Sequence, residues 1–265
     1  MALKYCSLFS GSSGNSAVIS TPSSSVLIDA GLNGKTITCA LERVNVDPAS
    51  LQGILITHEH SDHIRGAGVL SRRFDLPIFA NAATWEAMDK TLGCITTKNV
   101  RVIDTGRNFY IGDLDVLPYA IEHDAAEPVG YCFYGKGRKF AQMTDLGHAP
   151  QSVLSIVSGA DLVLLEANHD IDMLRRGPYP QYLKKRILSN HGHLSNDASA
   201  EACLALLRMG VKNFILGHLS QENNTEKLAY DTVCTKLQSV GALLDEDFVV
   251  SMAHRDRASG YFELD

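Results

Sequence analysis

The sequence lacks the CxxC spacing that zinc-thiolate and redox sites use. Its six cysteines are scattered and mostly have apolar neighbours, which predicts reduced, buried thiols rather than disulfides or metal ligands. No apolar run approaches the roughly 20 residues that cross a bilayer. The N-terminus breaks into glycine and serine too early for a signal peptide. We therefore expect a cytoplasmic protein without a membrane span, whose metal ligands, if any, are histidines and carboxylates.

An excess of basic residues is also lacking. The chain has 24 Lys and Arg against 30 Asp and Glu, for a net charge of −6. The whole molecule is therefore not a basic nucleic-acid binder, although a local basic strip can still act on an acidic protein. No linker, low-complexity tract or repeat divides the chain, so we predict one domain over residues 1–265.

What the chain does have is an alternation of short apolar runs with helical patterns. The alternation predicts an α/β protein with two sheets faced by helices. The strand-like runs are 4–9, 16–20, 25–29, 53–57, 76–80, 114–121, 130–135, 139–144, 160–166 and 212–218. The helical patterns are 37–44, 61–74, 82–92, 197–210 and 226–241, and Asn196 or Asp197 is the expected N-cap of the fourth.

Four ligand-type side chains are crowded into HEHSDH, directly after the apolar run GILI. Alternate side chains of an extended segment point the same way, so His58 and His60 project together. Asp62 and His63 fall at the start of the next helix and diverge from that pair. Two groups of ligands aimed at neighbouring points indicate two metal ions. Imidazole and carboxylate without thiolate suit zinc, manganese or iron.

The motif resembles the signature of the metallo-β-lactamase superfamily, whose fold is an αββα sandwich of two mixed sheets flanked by helices. The other motifs of that superfamily follow in order. Asp29 ends SVLIDAG, His123 lies in IEHDAAEPVGY, Asp145 in QMTDLGH and His218 in FILGHLSQ. The resemblance implies this fold for nearly the whole chain, with each motif at the carboxyl end of a strand.

The resemblance also implies a role for each of these residues. One metal would take His58, His60 and His123, the other would take Asp62, His63 and His218, and Asp145 would bridge both. Asp29 would orient the ligands rather than bind metal. The expected cofactors are two divalent ions, with zinc or manganese favoured and iron possible.

Further motifs resemble the nuclease branch of the superfamily. They are Gly130-Tyr131 after His123, the LLEANHD stretch with Glu166 and His169, and SNHGHLSN with His191 and His193. The expected catalytic residues are Asp62, His193 and Glu166, with His193 donating a proton or steadying charge and Glu166 orienting it. Only 22 positions separate His123 from Asp145, and 73 separate Asp145 from His218, which leaves no room for the large insertions of other nucleases. This layout, with the opening SLFSGSSGNS, resembles the compact YycJ (WalJ)-type group of 5′-exonucleases.

The expected substrate is double-stranded DNA. The GSSGNS turn offers small hydroxyls and backbone N–H groups to a phosphate. Basic pairs lie at Arg72-Arg73 and, nearer to His193, in the segment of residues 175–186. Tyr179 and Tyr182 stand among these charges, either to stack on a nucleotide or to pack. The predicted substrate-binding residues are Ser12, Ser13, Asn15, His169, Arg175, Arg176, Lys184 and Lys185.

Other functions remain open at this point. A small-molecule phosphodiesterase for a cyclic phosphate or nucleotide is the nearest alternative, and a narrow pocket without a basic approach would favour it. A thioester or lactone hydrolase is disfavoured by the pair Glu166 and His193. A di-iron redox protein is disfavoured by His60, where such relatives usually have an acidic ligand. A non-catalytic metal-binding protein is disfavoured by the complete set of ligands.

Overall fold

The computed structural model describes residues 2–265, so Met1, where the predicted single domain begins, lies outside the described residues. The strands are β1 (Leu3–Phe9), β2 (Ser16–Ser20), β3 (Ser25–Ile28), β4 (Ile54–Leu55), β5 (Ile78–Ala80), β6 (Val100–Val102), β7 (Phe109–Ile111), β8 (Leu114–Ala120), β9 (Val129–Gly135), β10 (Arg138–Met143), β11 (Leu162–Glu166), β12 (Asn213–Gly217), β13 (Val249–Met252) and β14 (Phe262–Leu264). The helices are α1 (Gly34–Arg43), α2 (Ser61–Ile64), α3 (Ala67–Phe74), α4 (Ala82–Leu92), α5 (Gln151–Val157), α6 (Ile171–Arg176), α7 (Gln181–Ile187), α8 (Asn196–Arg208) and α9 (Glu226–Gln238).

The strands form two seven-stranded sheets, with the orders β14-β1-β2-β3-β4-β5-β6 and β13-β12-β11-β10-β9-β8-β7. Each sheet is mixed, because sequential hairpins pair antiparallel and strands joined through helices pair parallel. The chain divides into two compact units. The first comprises residues up to 120, 125–138 and 254–265, and the second comprises 121–124 and 139–253. The prediction of a single domain stays a prediction.

In the first unit, β3, β4 and β5 run parallel, and α1, α3 and α4 follow them in the chain. Apolar residues of these strands and helices form one core, with Leu27, Ile54, Ile37 and Leu70 almost fully buried. Parallel strands expose all their carboxyl ends at one edge of the sheet. The residues that follow β3 and β4 therefore lie close together.

In the second unit, β10, β11, β12 and β13 are parallel neighbours. Their register places Met143 opposite Leu165 and Glu166 opposite Gly217. The residues just beyond these pairs emerge at the same edge. The central strands β11 and β12 are almost continuously apolar, as expected for strands that are buried on both faces.

Two of the predicted local features are corrected by the structure. The helix expected over 61–74 is divided into α2 and α3 at Gly66, whose amide donates to the Ala30 carbonyl at 2.7 Å. A Cβ at Gly66 would lie 2.4 Å from the Leu32 carbonyl oxygen, so only glycine fits there. The N-cap of α8 is Ser195, whose hydroxyl accepts from the Ala198 amide, rather than Asn196 or Asp197. Within residues 2–265, no helix has the length and apolar character needed to cross a membrane.

Candidate metal centre and active site

The first unit contains a cluster of four potential ligands, which we call the first cluster: His58, His60, Asp62 and His63. His58 Nε2 lies 3.0 Å from His60 Nδ1. His63 Nε2 lies 3.7 Å from an Asp62 carboxylate oxygen, and the His58 and His63 ring centroids are 4.1 Å apart. The cluster therefore holds three imidazoles and a carboxylate within a few ångströms of one another.

Buried hydrogen bonds orient two of these imidazoles. Asp29 accepts from His63 Nδ1 at 2.8 Å, from the Thr57 amide at 2.9 Å and from the Thr57 hydroxyl at 2.9 Å. Because that hydroxyl has a single proton, it accepts from His58 Nδ1, which lies 2.9 Å away. These bonds occupy the Nδ1 atoms, so the Nε2 atoms point to the opposite side of each ring, toward His60 for His58 and toward Asp62 for His63. Asp29 thus has the contact predicted for it, while Thr57 was not anticipated from the sequence.

The opening glycine- and serine-rich turn packs against the same cluster. The Asn15 amide donates to the Asp62 carbonyl at 2.8 Å, and its side-chain nitrogen lies 3.1 Å from His63 Nε2. A Cβ on Gly31 would lie only 1.7 Å from the Asp62 carbonyl oxygen, so a glycine is required at this position. Asn15 is buried, whereas Ser12 and Ser13 are exposed at the tip of the turn. Asn15 therefore positions the ligand segment, and the two serines remain accessible to a substrate.

The second unit contains a second cluster, made of His123, Asp145, Glu166, His193 and His218. Asp145, Glu166 and His218 lie at the ends of the parallel strands β10, β11 and β12. His218 Nε2 lies 3.3 Å from an Asp145 carboxylate oxygen. One donor atom from each of His123, Asp145 and His193 lies within 4.8 Å of the others, and the same holds for Glu166, His193 and His218.

A buried carboxylate orients His193 in this cluster. Glu166 is fully buried and lies 2.6 Å from His193 Nδ1, and it also accepts from the Leu146 amide at 3.1 Å. Burial alone lowers the pKa of His193, but the Glu166 charge and hydrogen bond, with smaller contributions from Asp145 and Asp124, raise it to about 9. His193 is therefore protonated at neutral pH in the metal-free protein and directs Nε2 away from Glu166.

His123 is held in a different way. Its Nδ1 donates to the Gly192 carbonyl at 3.2 Å, which leaves Nε2 as the ligand atom. Burial is the main reason that the pKa of His123 is lowered from its ordinary value. A neutral imidazole with one nitrogen occupied by a backbone carbonyl is the form that binds a metal ion.

The backbone is left-handed at three of the predicted site residues. Asp29, Asp145 and His218 have φ angles of 56°, 59° and 55°. This conformation is uncommon for residues other than glycine and is costly, and it tends to be retained where function requires it. In each case the turn follows a strand directly or within two residues. No sequence pattern indicated these turns.

The separations between donor atoms allow a test of whether metal ions fit. Four ligands at about 2.0–2.1 Å around a tetrahedral ion lie about 3.3 Å from one another. The two nitrogens of His58 and His60 are 3.0 Å apart, and the donors of Asp145 and His218 are 3.3 Å apart. Both clusters thus have the donor chemistry and spacing that divalent ions require.

The predicted substrate-binding residues have different environments. Arg175, Arg176 and Lys185 are exposed. Lys184 is buried, and its ammonium donates to the Arg175 carbonyl at 2.7 Å, so it caps the end of α6 instead of facing solvent. His169 is also buried, and burial lowers its pKa to about 4. Lys184 is therefore held by the protein backbone, and the substrate contact expected for His169 stays a prediction.

Comparison with known proteins agrees with the motifs. A family model described as β-lactamase superfamily domain matches residues 24–219. The exodeoxyribonuclease WalJ of Streptococcus pneumoniae serotype 2 is 42% identical over 266 residues, which cover 100% of this chain and 99% of the relative. The exodeoxyribonuclease YycJ of Bacillus anthracis is 39% identical over 250 residues, which cover 94% of this chain and 95% of the relative.

Solved structures extend the comparison to the fold. The metallo-β-lactamase fold protein YhfI from Bacillus subtilis superposes with a TM-score of 0.73 at 15% identity, covering 100% of both chains. At this identity the likeness concerns the fold alone. It confirms the expected αββα class of two mixed sheets flanked by helices.

Proposed function

Because this chain belongs to the β-lactamase superfamily, we propose that it is a metal-dependent exonuclease that digests double-stranded DNA from the 5′ end. Two relatives that align over nearly their full length carry the name exodeoxyribonuclease, which supports a DNA substrate. The observation in the site that carries the proposal is the Glu166 carboxylate 2.6 Å from His193. Phosphodiester hydrolysis needs a group that can assist the departing oxygen, and an oriented histidine is such a group.

We propose that the two clusters supply the ligands of two divalent metal ions, zinc or manganese, with iron also compatible with the donors. His58, His60 and His123 would hold one ion, and Asp62, His63 and His218 the other, with Asp145 shared. The short donor separations between His58 and His60 and between Asp145 and His218 support metal binding by these two pairs. When bound, such ions supply a hydroxide nucleophile at neutral pH and stabilise negative charge on the phosphoryl group.

The protein residues orient the substrate and handle the proton. His193 presents Nε2 because Glu166 occupies Nδ1. From there it donates a proton to the leaving oxygen or a hydrogen bond to a phosphoryl oxygen. Glu166 does not touch the substrate, since it is fully buried, and acts by holding the imidazole. Asp62 acts as a ligand and keeps part of its side chain accessible.

Substrate binding is proposed for the exposed residues alone. Ser12 and Ser13 lie at the tip of a turn closed by a 3.0 Å bond from the Gly14 amide to the Gly11 carbonyl. Arg175, Arg176 and Lys185 are exposed cations in the same unit as His193. Contacts of this kind with phosphates position a duplex without reading its sequence.

We propose a cytoplasmic location for the protein. The six cysteines are free thiols, and Cys6, Cys132, Cys203 and Cys234 are buried. Burial raises the pKa of Cys203, which keeps this thiol protonated and unreactive. Thiols in this state suit a reducing compartment.

The test is digestion of a 5′-end-labelled duplex by the purified protein with Mn²⁺ or Zn²⁺, with Asp145→Ala as the control. We expect metal-dependent shortening from the 5′ end that is lost in the variant. Intact DNA together with hydrolysis of bis-p-nitrophenyl phosphate would contradict the DNA substrate and favour a small-molecule phosphodiesterase. A 3′-labelled duplex, assayed in parallel, reports the polarity.

A further inference from the structure

Helix α7 and the loop that follows it contact two of the three histidines of the second cluster. The His193 amide donates to the Ile187 carbonyl at 3.0 Å, and His123 Nδ1 donates to the Gly192 carbonyl just beyond the helix. Arg186, in the last turn, forms an ion pair with Asp124, the neighbour of His123. The position of α7 is therefore fixed with respect to the catalytic histidine.

The same helix presents an aromatic ring to solvent. Tyr182 is 75% exposed, the largest exposed fraction among the large hydrophobic side chains of the described residues. Tyr182, Lys185 and Arg186 are spaced i, i+3 and i+4, so they share one face of the helix. Exposure of this extent leaves little for the ring to contribute to packing within the protein.

Positive charge lies on the same helix face as this ring, on a protein whose net charge is −6. Lys185 and Arg175 are exposed and have no acidic partner among the described residues. Arg176 pairs with Asp172 only at 3.8 Å, with both side chains largely exposed, which is a weak interaction. An aromatic ring among cations is the combination that binds nucleic acid through base stacking and phosphate contacts.

We propose that the face of α7 centred on Tyr182 is a stacking platform for an unpaired nucleobase at the end of the DNA substrate, with Lys185 on an adjacent backbone phosphate. This inference rests on the proposed nuclease function. Tyr182 lies four residues from Arg186, or about 6 Å along the helix.

The test compares Tyr182→Ala with Tyr182→Phe and with Tyr110→Ala, which removes a tyrosine that is 71% exposed in the first unit. The readout is the ratio of kcat/KM on the labelled duplex to kcat/KM on bis-p-nitrophenyl phosphate. We expect the ratio to fall about 5- to 100-fold in Tyr182→Ala, because the lost stacking affects only the longer substrate. Tyr182→Phe should keep the wild-type ratio, since the ring is retained, and Tyr110→Ala should also keep it.

A second readout reports stacking directly. The fluorescence of 2-aminopurine placed near the 5′ end of the duplex should be quenched by wild-type protein and less by Tyr182→Ala. An unchanged ratio in Tyr182→Ala, or a Tyr182→Phe as defective as the alanine variant, overturns the inference. So does a change in oligomeric state of Tyr182→Ala, which would assign the ring to contact between copies of the chain. If the wild-type protein leaves DNA intact, the proposed nuclease function is wrong, and this inference falls with it.

Discussion

The two clusters offer similar donors but are built in different ways. The first comes from one short segment, residues 58–63, braced from outside by Asp29, Thr57 and Asn15. The second is collected from separate segments, where β10, β11 and β12 end or where a loop follows. A local motif can place its ligands with one turn of chain, whereas the second cluster depends on the register of a whole sheet.

The largest expected effect comes from replacing His193, the proposed proton donor of the second cluster. His193→Ala should lower kcat on duplex DNA about 10²- to 10⁴-fold, because an oriented proton donor is lost. The metal content of the variant should stay at the wild-type level. Measured together, kinetics and metal analysis separate the two roles open to His193. Loss of metal in parallel with activity would make it a ligand.

A smaller effect is expected from the support of the first cluster. Asp29→Asn keeps the size of the side chain but weakens its hydrogen bond to His63 Nδ1. The loss of such a contact to a ligand reduces metal affinity by about 10- to 100-fold. Titration against a competing chelator measures this change. Asp47→Asn is the matched control, because Asp47 caps a short turn and asparagine caps as well as aspartate. Equal affinities in the two variants would show that Asp29 plays no part in orienting the ligands.

The next prediction tests whether Glu166 acts through His193. In the metal-free wild-type protein, His193 should stay protonated until the pH rises through about 9. Glu166→Gln removes the largest contribution that raises this pKa, while burial still lowers it and Asp145 and Asp124 still raise it, so the pKa should fall well below about 9. Titration of the imidazole by NMR measures both proteins. With metal restored, kcat should fall about tenfold, toward the low end of what general acid catalysis contributes. An unchanged pKa would contradict the assigned contact.

The smallest effects separate two neighbouring lysines. Lys185→Met should lower the slope of log affinity for DNA against log salt by about 0.9, the loss of one phosphate contact. Lys184→Met should leave that slope unchanged and instead lower Tm by roughly 3–9 °C, because the buried ammonium no longer caps α6. Binding isotherms at several salt concentrations and thermal melts distinguish the two. A lower salt slope in Lys184→Met would instead show that Lys184 contacts a phosphate of the DNA.

The difference between the clusters also explains what the sequence could predict. HEHSDH was readable because local geometry alone aims its side chains, and Asp145 and His218 were readable only through their resemblance to known motifs. The ten strand-like runs all became strands, but β6, β7, β13 and β14 were missed. Those strands have three or four residues each, whereas the similarly short β4 and β5 lie within the five-residue apolar runs 53–57 and 76–80.

Three of the predicted substrate-binding residues are buried. Asn15, His169 and Lys184 are polar, and the sequence places them beside site motifs, so they were assigned to the substrate. Each is enclosed in the structure, and Asn15 and Lys184 have polar partners there. Whether a polar residue is buried depends on the segments that pack over it, and these segments come from distant parts of the chain. Sequence spacing carries no information about that covering.

The most direct test is the number of metal ions bound per chain, measured by inductively coupled plasma mass spectrometry on purified protein. Wild type, His58→Ala and Asp145→Ala should be compared under identical loading. If each cluster contributes ligands as proposed, wild type holds two divalent ions per chain, and each variant holds fewer and no longer digests the 5′-labelled duplex. Wild-type protein that digests DNA after complete removal of metal, or variants that keep both ions, would contradict the proposed metal centre.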